Sequence, residues 1–170
     1  PIEQINLTLT AFFVLFSIGM LVWGPLSDRY GRKPILLIGL SLYVLASGAC
    51  SITESVTALI VFRGLQALGG SASGAVASAI VKDTFSGRQR ETVLAIVQSM
   101  VMISPAVAPM LGAALLTFTS WRGVFWALTA VGVVALVCAL LLQETLQQRT
   151  TGALWATYAR LGTVVQNRGF

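Results

Sequence analysis

The stretch Gly24–Pro34, GPLSDRYGRKP, decides how the rest of the chain is interpreted. It holds four charged side chains within six positions, whereas about 20 residues on either side carry no charge. A helix needs about 20 apolar residues to cross a bilayer core of ~30 Å. The stretch is therefore predicted to be a short turn between two membrane-spanning helices.

The composition supports a membrane protein over the whole chain. Only 10% of the 170 residues are charged, and the mean hydropathy is +0.84, whereas soluble domains carry about 25% charged residues. There is no histidine, and Cys50 and Cys138 fall in separate apolar runs. With no metal-ligand spacing and no carboxylate pair within one span, we expect neither a metal site nor an enzymatic activity.

Five apolar segments are long enough to cross a membrane. They cover about residues 5–26, 35–52, 57–81, 92–118 and 123–142. The runs are apolar throughout, without the alternation that is typical of barrel strands, and an uninterrupted helix satisfies its own backbone hydrogen bonds in lipid. We predict an all-α membrane protein with its helices in residues 1–143 and a cytoplasmic segment in 144–170.

The basic residues predict the orientation. Nine of the eleven lysines and arginines lie in 27–34, in 82–91 or after Glu144, and the positive-inside rule places such regions in the cytoplasm. The net charge of +5 then reflects topology, so no nucleic-acid partner is expected. In the tail, apolar residues at helical spacing predict an amphipathic helix on the membrane surface, with a loosely ordered linker as the alternative; they are Leu154, Tyr158, Leu161 and Val165.

Each unusual residue of the opening stretch has a local explanation. Gly24 and Pro25 are predicted to end the first helix, and Gly31 permits a tight turn. Pro34 fits the first turn of the next helix, where its missing N–H is not needed. Asp28 could accept backbone N–H groups at a helix N-terminus or pair with a cation.

The stretch as a whole resembles the signature loop between the second and third helices of the major facilitator superfamily, G-x-L-A-D-R-x-G-R-K-P. The matching residues are Gly24, Leu26, Asp28, Arg29, Gly31, Arg32, Lys33 and Pro34. The resemblance implies part of the N-terminal helix bundle of such a protein, beginning at its second helix. It also implies that the loop latches the two halves together while the carrier faces outward.

The third span contains a second motif, FRGLQALGGSA. A charge within a span costs at least ~2.5–3.5 kcal/mol on insertion scales, so Arg63 should face a cavity or a partner, with Gln66 on the same face; snorkelling to the outer interface is the alternative. The motif resembles R-x-x-Q-G-x-G-A-A of proton-coupled drug exporters, with Ala67 in place of a glycine. That resemblance implies a coupling or cavity role for Arg63 and Gln66.

A run of small residues follows Arg63. Gly70, Gly74 and Ser78 are four residues apart, and so are Gly69 and Ser73. Such spacing lets helix backbones approach closely in a membrane. We predict that this face packs against a tightly crossing neighbour.

The fourth span contains a third motif, SPAVAPMLGA. Pro105 and Pro109 each remove a backbone donor, and Gly112 is predicted to add close packing. The motif resembles the fifth-helix antiporter motif in the form found in the bicyclomycin/chloramphenicol-resistance (Bcr/CflA) branch, as do the fragments at 120–126 and 143–146. The resemblance favours a pivot between two halves; a static kink is the alternative.

Asp83 closes the third span beside Lys82. It could pair with Arg29 or Arg32 across the same end of the protein, or remain a solvated carboxylate. In the superfamily, an acid near this position joins a charge network with the signature loop.

These resemblances imply a multi-pass protein of a bacterial inner membrane that exports small drug-like compounds by alternating access. The proton is the implied coupling ion. No cofactor is expected, and the expected partners are lipid, a hydrophobic or amphipathic drug and the proton, with the complete protein acting as a monomer. No acid lies inside the predicted spans, so a proton-binding carboxylate would have to come from elsewhere. An importer of sugars or other metabolites, and a non-transporting receptor on the same scaffold, are the alternatives.

Overall fold

The computed structural model describes residues 2–146, and five helices account for most of that range. They are α1 (Ile2–Tyr30), α2 (Arg32–Ile52), α3 (Val56–Thr84), α4 (Gly87–Phe118) and α5 (Trp121–Leu141). Each is long and apolar enough to cross a membrane, which confirms the predicted fold class. The amphipathic helix expected around Leu154, Tyr158, Leu161 and Val165 lies outside the described residues.

The prediction that Gly24 and Pro25 end the first helix is wrong. Helix α1 continues through Pro25 to Tyr30, since a proline removes only one backbone donor and a helix end within lipid would leave several groups unpaired. The Ser27 hydroxyl also donates to the Gly24 carbonyl at 2.8 Å. The turn is the single residue Gly31, whose φ of +111° favours glycine.

The other helices extend beyond their apolar runs into the charged regions. Only Phe85 and Ser86 separate α3 from α4, so most of the basic stretch 82–91 is helical. Arg90 donates to the carbonyls of Lys82 and Phe85, both at 2.9 Å. These bonds satisfy carbonyl groups at the end of α3, which would otherwise lack partners.

Four helices pack side by side in the order α5, α2, α3, α1. The buried core lies between α2, α3 and α5, and it consists of Ile35, Leu36, Leu40, Val76 and Ala139. Helix α4 touches α3 and α5 only lightly and has no buried residue. The described part of the chain is therefore a bundle of four packed helices with α4 at its margin.

The small residues of α3 permit its close contacts, which confirms the predicted packing face. A Cβ added at Gly69 would lie 2.5 Å from the backbone nitrogen of Tyr43 and 2.6 Å from the carbonyl oxygen of Gly39. Gly74 faces the sulfur of Met20 in α1. The same run therefore packs against α2 on one side and α1 on the other.

Replacing Gly69 with alanine should destabilise the complete protein by about 1–3 kcal/mol, the usual range for overpacking. The atoms that the new methyl group would meet belong to the α2 backbone and cannot rotate away. The measurement is thermal unfolding in detergent. Gly48→Ala in α2 is the matched control, because nothing lies within 4 Å of its Cβ position; equal unfolding temperatures for the two variants would contradict the prediction.

Candidate functional site

Arg32 lies at the centre of an ion-pair cluster that joins the ends of three helices. Its guanidinium Nε donates to Asp83 Oδ2 of α3 at 2.8 Å. Its Nη1 donates to Ser27 Oγ at 2.7 Å and contacts Asp28 Oδ1 of α1. We call Asp28, Arg32 and Asp83 the Arg32 cluster; the structure thus brings together three residues that the sequence had singled out.

The cluster resolves two alternatives that the sequence left open. Asp28 pairs with a cation, and Asp83 pairs with Arg32, whereas the Arg29 guanidinium lies 5.5 Å from the centre of the Tyr30 ring. Arg32 is only 7% exposed. The Asp83 and Asp28 side chains are 24% and 45% exposed, so the buried partner in both pairs is the guanidinium. Removing an acid therefore leaves this buried cation with less compensation.

Glu144, which the sequence had not singled out, occupies the N-terminus of α2. Its Oε1 accepts the backbone N–H of Arg32 at 3.0 Å, and its Oε2 accepts that of Lys33 at 3.2 Å. Oε1 also accepts the N–H groups of Thr145 and Leu146, at 3.0 and 3.1 Å. Glu144 therefore has the helix-end role that the sequence had offered to Asp28.

These bonds determine the ionisation of Glu144. Partial burial raises the pKa of the carboxyl group, but the backbone N–H donors outweigh it and hold the pKa below its ordinary value of 4.5. A carboxyl group whose pKa is lower in the folded state than in the unfolded state stabilises the fold at pH values above its ordinary pKa. That stabilisation is fully present at neutral pH and is lost as pH falls through the lowered pKa.

Gly31 and Lys33 complete the contact between α2 and the end of α5. A Cβ added at Gly31 would lie 2.5 Å from Glu144 Oε2, so a side chain here would displace the Glu144 carboxylate in addition to straining the backbone. The Lys33 ammonium donates to the Leu140 carbonyl at 2.8 Å. A cation at a helix C-terminus is favourable, so each helix end receives a charge of the appropriate sign.

Arg63 forms a second polar site toward the opposite end of α3. Its Nη1 donates to Gln66 Oε1 at 2.9 Å, and Gln66 Nε2 donates to Ser47 Oγ of α2 at 2.7 Å. The guanidinium carbon lies 4.6 Å from the ring centre of Phe12 and 5.7 Å from that of Phe125. Groups from α1, α3 and α5 thus surround the guanidinium, and Gln66 connects it to α2, which favours the interior orientation over snorkelling.

A cavity of about 390 Å³ opens beside Arg63, between α1, α3 and α5. It is lined by Thr8, Leu9, Leu59, Arg63, Val124, Phe125 and Leu128. A mostly apolar lining with one cation can hold the hydrophobic part of a small molecule and orient a polar or anionic group.

The residues of the fourth-span motif lie together on α4, away from both polar sites. Helix α4 continues through Pro105 and Pro109 without a break. The close packing predicted at Gly112 is wrong for the described residues, because nothing lies within 4 Å of its Cβ position. Residues 104–111 are all exposed in the described part of the chain, and α4 touches its neighbours only lightly.

Comparison with known proteins places the chain among membrane carriers. The sequence profile of the Major Facilitator Superfamily matches residues 1–164. The chain is 35% identical to the uncharacterized MFS-type transporter YdgK of Bacillus subtilis (strain 168), covering 98% of this chain and 42% of that protein. It is 40% identical to a chloramphenicol resistance protein of Pseudomonas aeruginosa, covering 91% and 37%.

Two further similarities agree with these. The multidrug resistance protein MdtL of Escherichia coli (strain K12 / DH10B) is 34% identical over 84% of this chain and 37% of its own length. A crystal structure of a mutant of the peptide transporter POT with alafosfalin superimposes with a TM-score of 0.74, at 20% identity, covering 96% of this chain and 36% of that one; this shows a shared fold. The chain spans about two fifths of the length of these relatives.

Proposed function

The chain belongs to the Major Facilitator Superfamily, and from that premise we propose that the complete protein exports small drug-like compounds in exchange for protons. One observation carries the proposal: the relatives named for resistance to chloramphenicol and to multiple drugs match 91% and 84% of this chain.

The position of Arg63 supports a site inside the membrane. A cation there must be stabilised by its surroundings, and Arg63 is held by Gln66 and two aromatic rings beside an apolar cavity. We assign Arg63 and Gln66 to the cavity and to coupling. Superfamily carriers place the substrate near the midplane, between two halves that rock against each other.

The Arg32 cluster is the proposed latch of this cycle. Asp83 and Arg63 both belong to α3, 20 positions apart, which corresponds to about 30 Å at 1.5 Å per residue. One straight helix therefore connects the cavity to the latch. We place the latch on the cytoplasmic side of a bacterial inner membrane and assign Pro105, Pro109 and Gly112 to a pivot between the halves of a monomeric carrier.

Cells that express the complete protein should accumulate several-fold less chloramphenicol than cells with an empty vector. Because export would be driven by protons, a protonophore should abolish the difference. The measurement is uptake of radiolabelled chloramphenicol, followed from the first seconds to the steady state. Accumulation of chloramphenicol and of a panel of amphipathic drugs could instead be unchanged while uptake of a sugar increases. That result would contradict export and favour an importer.

A further inference from the structure

The first turn of α2 has no capping group of its own. Its N-cap residue is Gly31, which has no side chain to accept a hydrogen bond, and the turn contains no acidic residue. The N–H groups of Arg32 and Lys33 instead bond to Glu144, which is 112 positions from Arg32 along the chain. The beginning of α2 is therefore held by the segment that follows α5.

We propose that Glu144 is a positioning residue of the export cycle: it fixes the first turn of α2 and thereby the guanidinium of Arg32 between Asp28 and Asp83. This inference rests on the proposed function. It adds the end of α5 to a latch that would otherwise consist of α1, α2 and α3.

The geometry supports this role because Arg32 is held at both ends. Its backbone nitrogen donates to Glu144, and its guanidinium donates to Asp83 and contacts Asp28. A shift of the first turn of α2 moves the origin of the side chain and alters both ion pairs. Charge-assisted hydrogen bonds are sensitive to such shifts, since their strength depends on short distances and good alignment.

The contact also couples two helix ends in both directions. Glu144 reaches from the α5 side to the N-terminus of α2, while the Lys33 ammonium reaches back to the Leu140 carbonyl at the end of α5. A displacement of either end breaks charge-assisted bonds at both. In the transport cycle, the contacts between the end of α5 and the first turn of α2 should therefore form and break together with the ion pairs of the Arg32 cluster.

The first test uses the complete protein with Glu144→Gln and Glu144→Ala. Glutamine keeps the shape but loses the charge and one acceptor oxygen, so we expect about tenfold slower maximal export with an unchanged KM. Alanine removes all four bonds, and its maximal rate should fall further. Glu91→Gln is the matched control, because Glu91 is an exposed carboxylate at the same end of the protein and its neutralisation should leave export unchanged.

A second measurement follows the geometry without any transport. Ile35 lies in the first turns of α2 and is 3% exposed. In a variant with Cys50 and Cys138 replaced by alanine, Ile35→Cys should react slowly with a maleimide in inside-out vesicles. Adding Glu144→Gln should increase the labelling rate several-fold, whereas adding Glu91→Gln should not.

The outcomes separate this inference from the proposed function. Normal export and normal labelling in both Glu144 variants overturn the positioning role, and so does a loss of both variants from the membrane, which would indicate a purely structural residue. If the unmodified protein exports no compound, the proposed function is wrong. The labelling rate then tests by itself whether Glu144 fixes the first turn of α2. Restoration of export by Glu144→Asp to a level above that of Glu144→Ala would support the requirement for a carboxylate.

Discussion

Replacing Asp28 with asparagine should reduce export at least about tenfold, equivalent to roughly 1.4 kcal/mol, while the protein remains in the membrane. Asparagine is nearly isosteric but carries no charge, so among residues 2–146 Asp83 would be the counter-ion left to the Arg32 guanidinium. Arg32 is almost fully buried, and a buried cation that loses a partner changes its position or its surroundings. The measurement is drug efflux normalised to the amount of protein in the membrane.

Two controls test whether the effect belongs to the cluster. Asp83→Asn removes the other acid that pairs with the Arg32 guanidinium and should impair export to a similar degree, whereas Glu91→Gln neutralises an exposed carboxylate outside the cluster. Full export by Asp28→Asn would exclude the latch role for this residue. Equal impairment in Glu91→Gln would show that net charge at this end matters and that the cluster does not.

Replacing Arg63 with alanine should abolish export, because it removes the cation beside the cavity and leaves the buried Gln66 without one of its partners. The variant should still insert, since it removes a charge that is unfavourable within a membrane. Arg63→Lys keeps the charge but cannot reproduce a planar guanidinium between two rings. We expect export by the lysine variant to be lowered substantially, with efflux assays and membrane protein levels as the measurements.

Arg122 supplies the matched control for Arg63. It is also an arginine near the end of a span that lies opposite the Arg32 cluster, but its side chain is 42% exposed and lies 3.9 Å from Glu54 and 3.4 Å from the carbonyl oxygen of Thr53. Exposed pairs of this kind contribute only ~0–1 kcal/mol, so Arg122→Ala should export normally. If Arg63→Ala exports as well as Arg122→Ala, the coupling assignment is excluded.

The five helices could be predicted from the sequence because apolar length is nearly sufficient to define a membrane span. Gly31 was correctly expected to lie in a turn, but that turn was expected to include most of residues 27–34 and is in fact the single residue Gly31. The end of α1 could not be predicted from the sequence. Pro25 usually indicates a helix boundary in water, but in lipid the neighbouring backbone groups have no solvent partner and the helix continues.

In the candidate site, too, some contacts could be predicted from the sequence and others could not. Arg63 and Gln66 are three residues apart, so their contact follows from helical spacing. The role of Glu144 depends on packing between helices that are distant in sequence, and no local pattern encodes it. One signal was available, because Glu144 belongs to the QETL fragment that the resemblance had already marked. A helix start with no capping side chain indicates that a distant acceptor is needed.

The separation of Arg32 and Glu144 has a consequence for biosynthesis. Ribosomes add about 5–20 residues each second, so Glu144 follows Arg32 out of the ribosome by roughly 6–22 s. During that interval the first turn of α2 lacks its acceptor. The N–H groups at the start of α2 therefore bond to Glu144 only after α5 has been made and has packed beside α2.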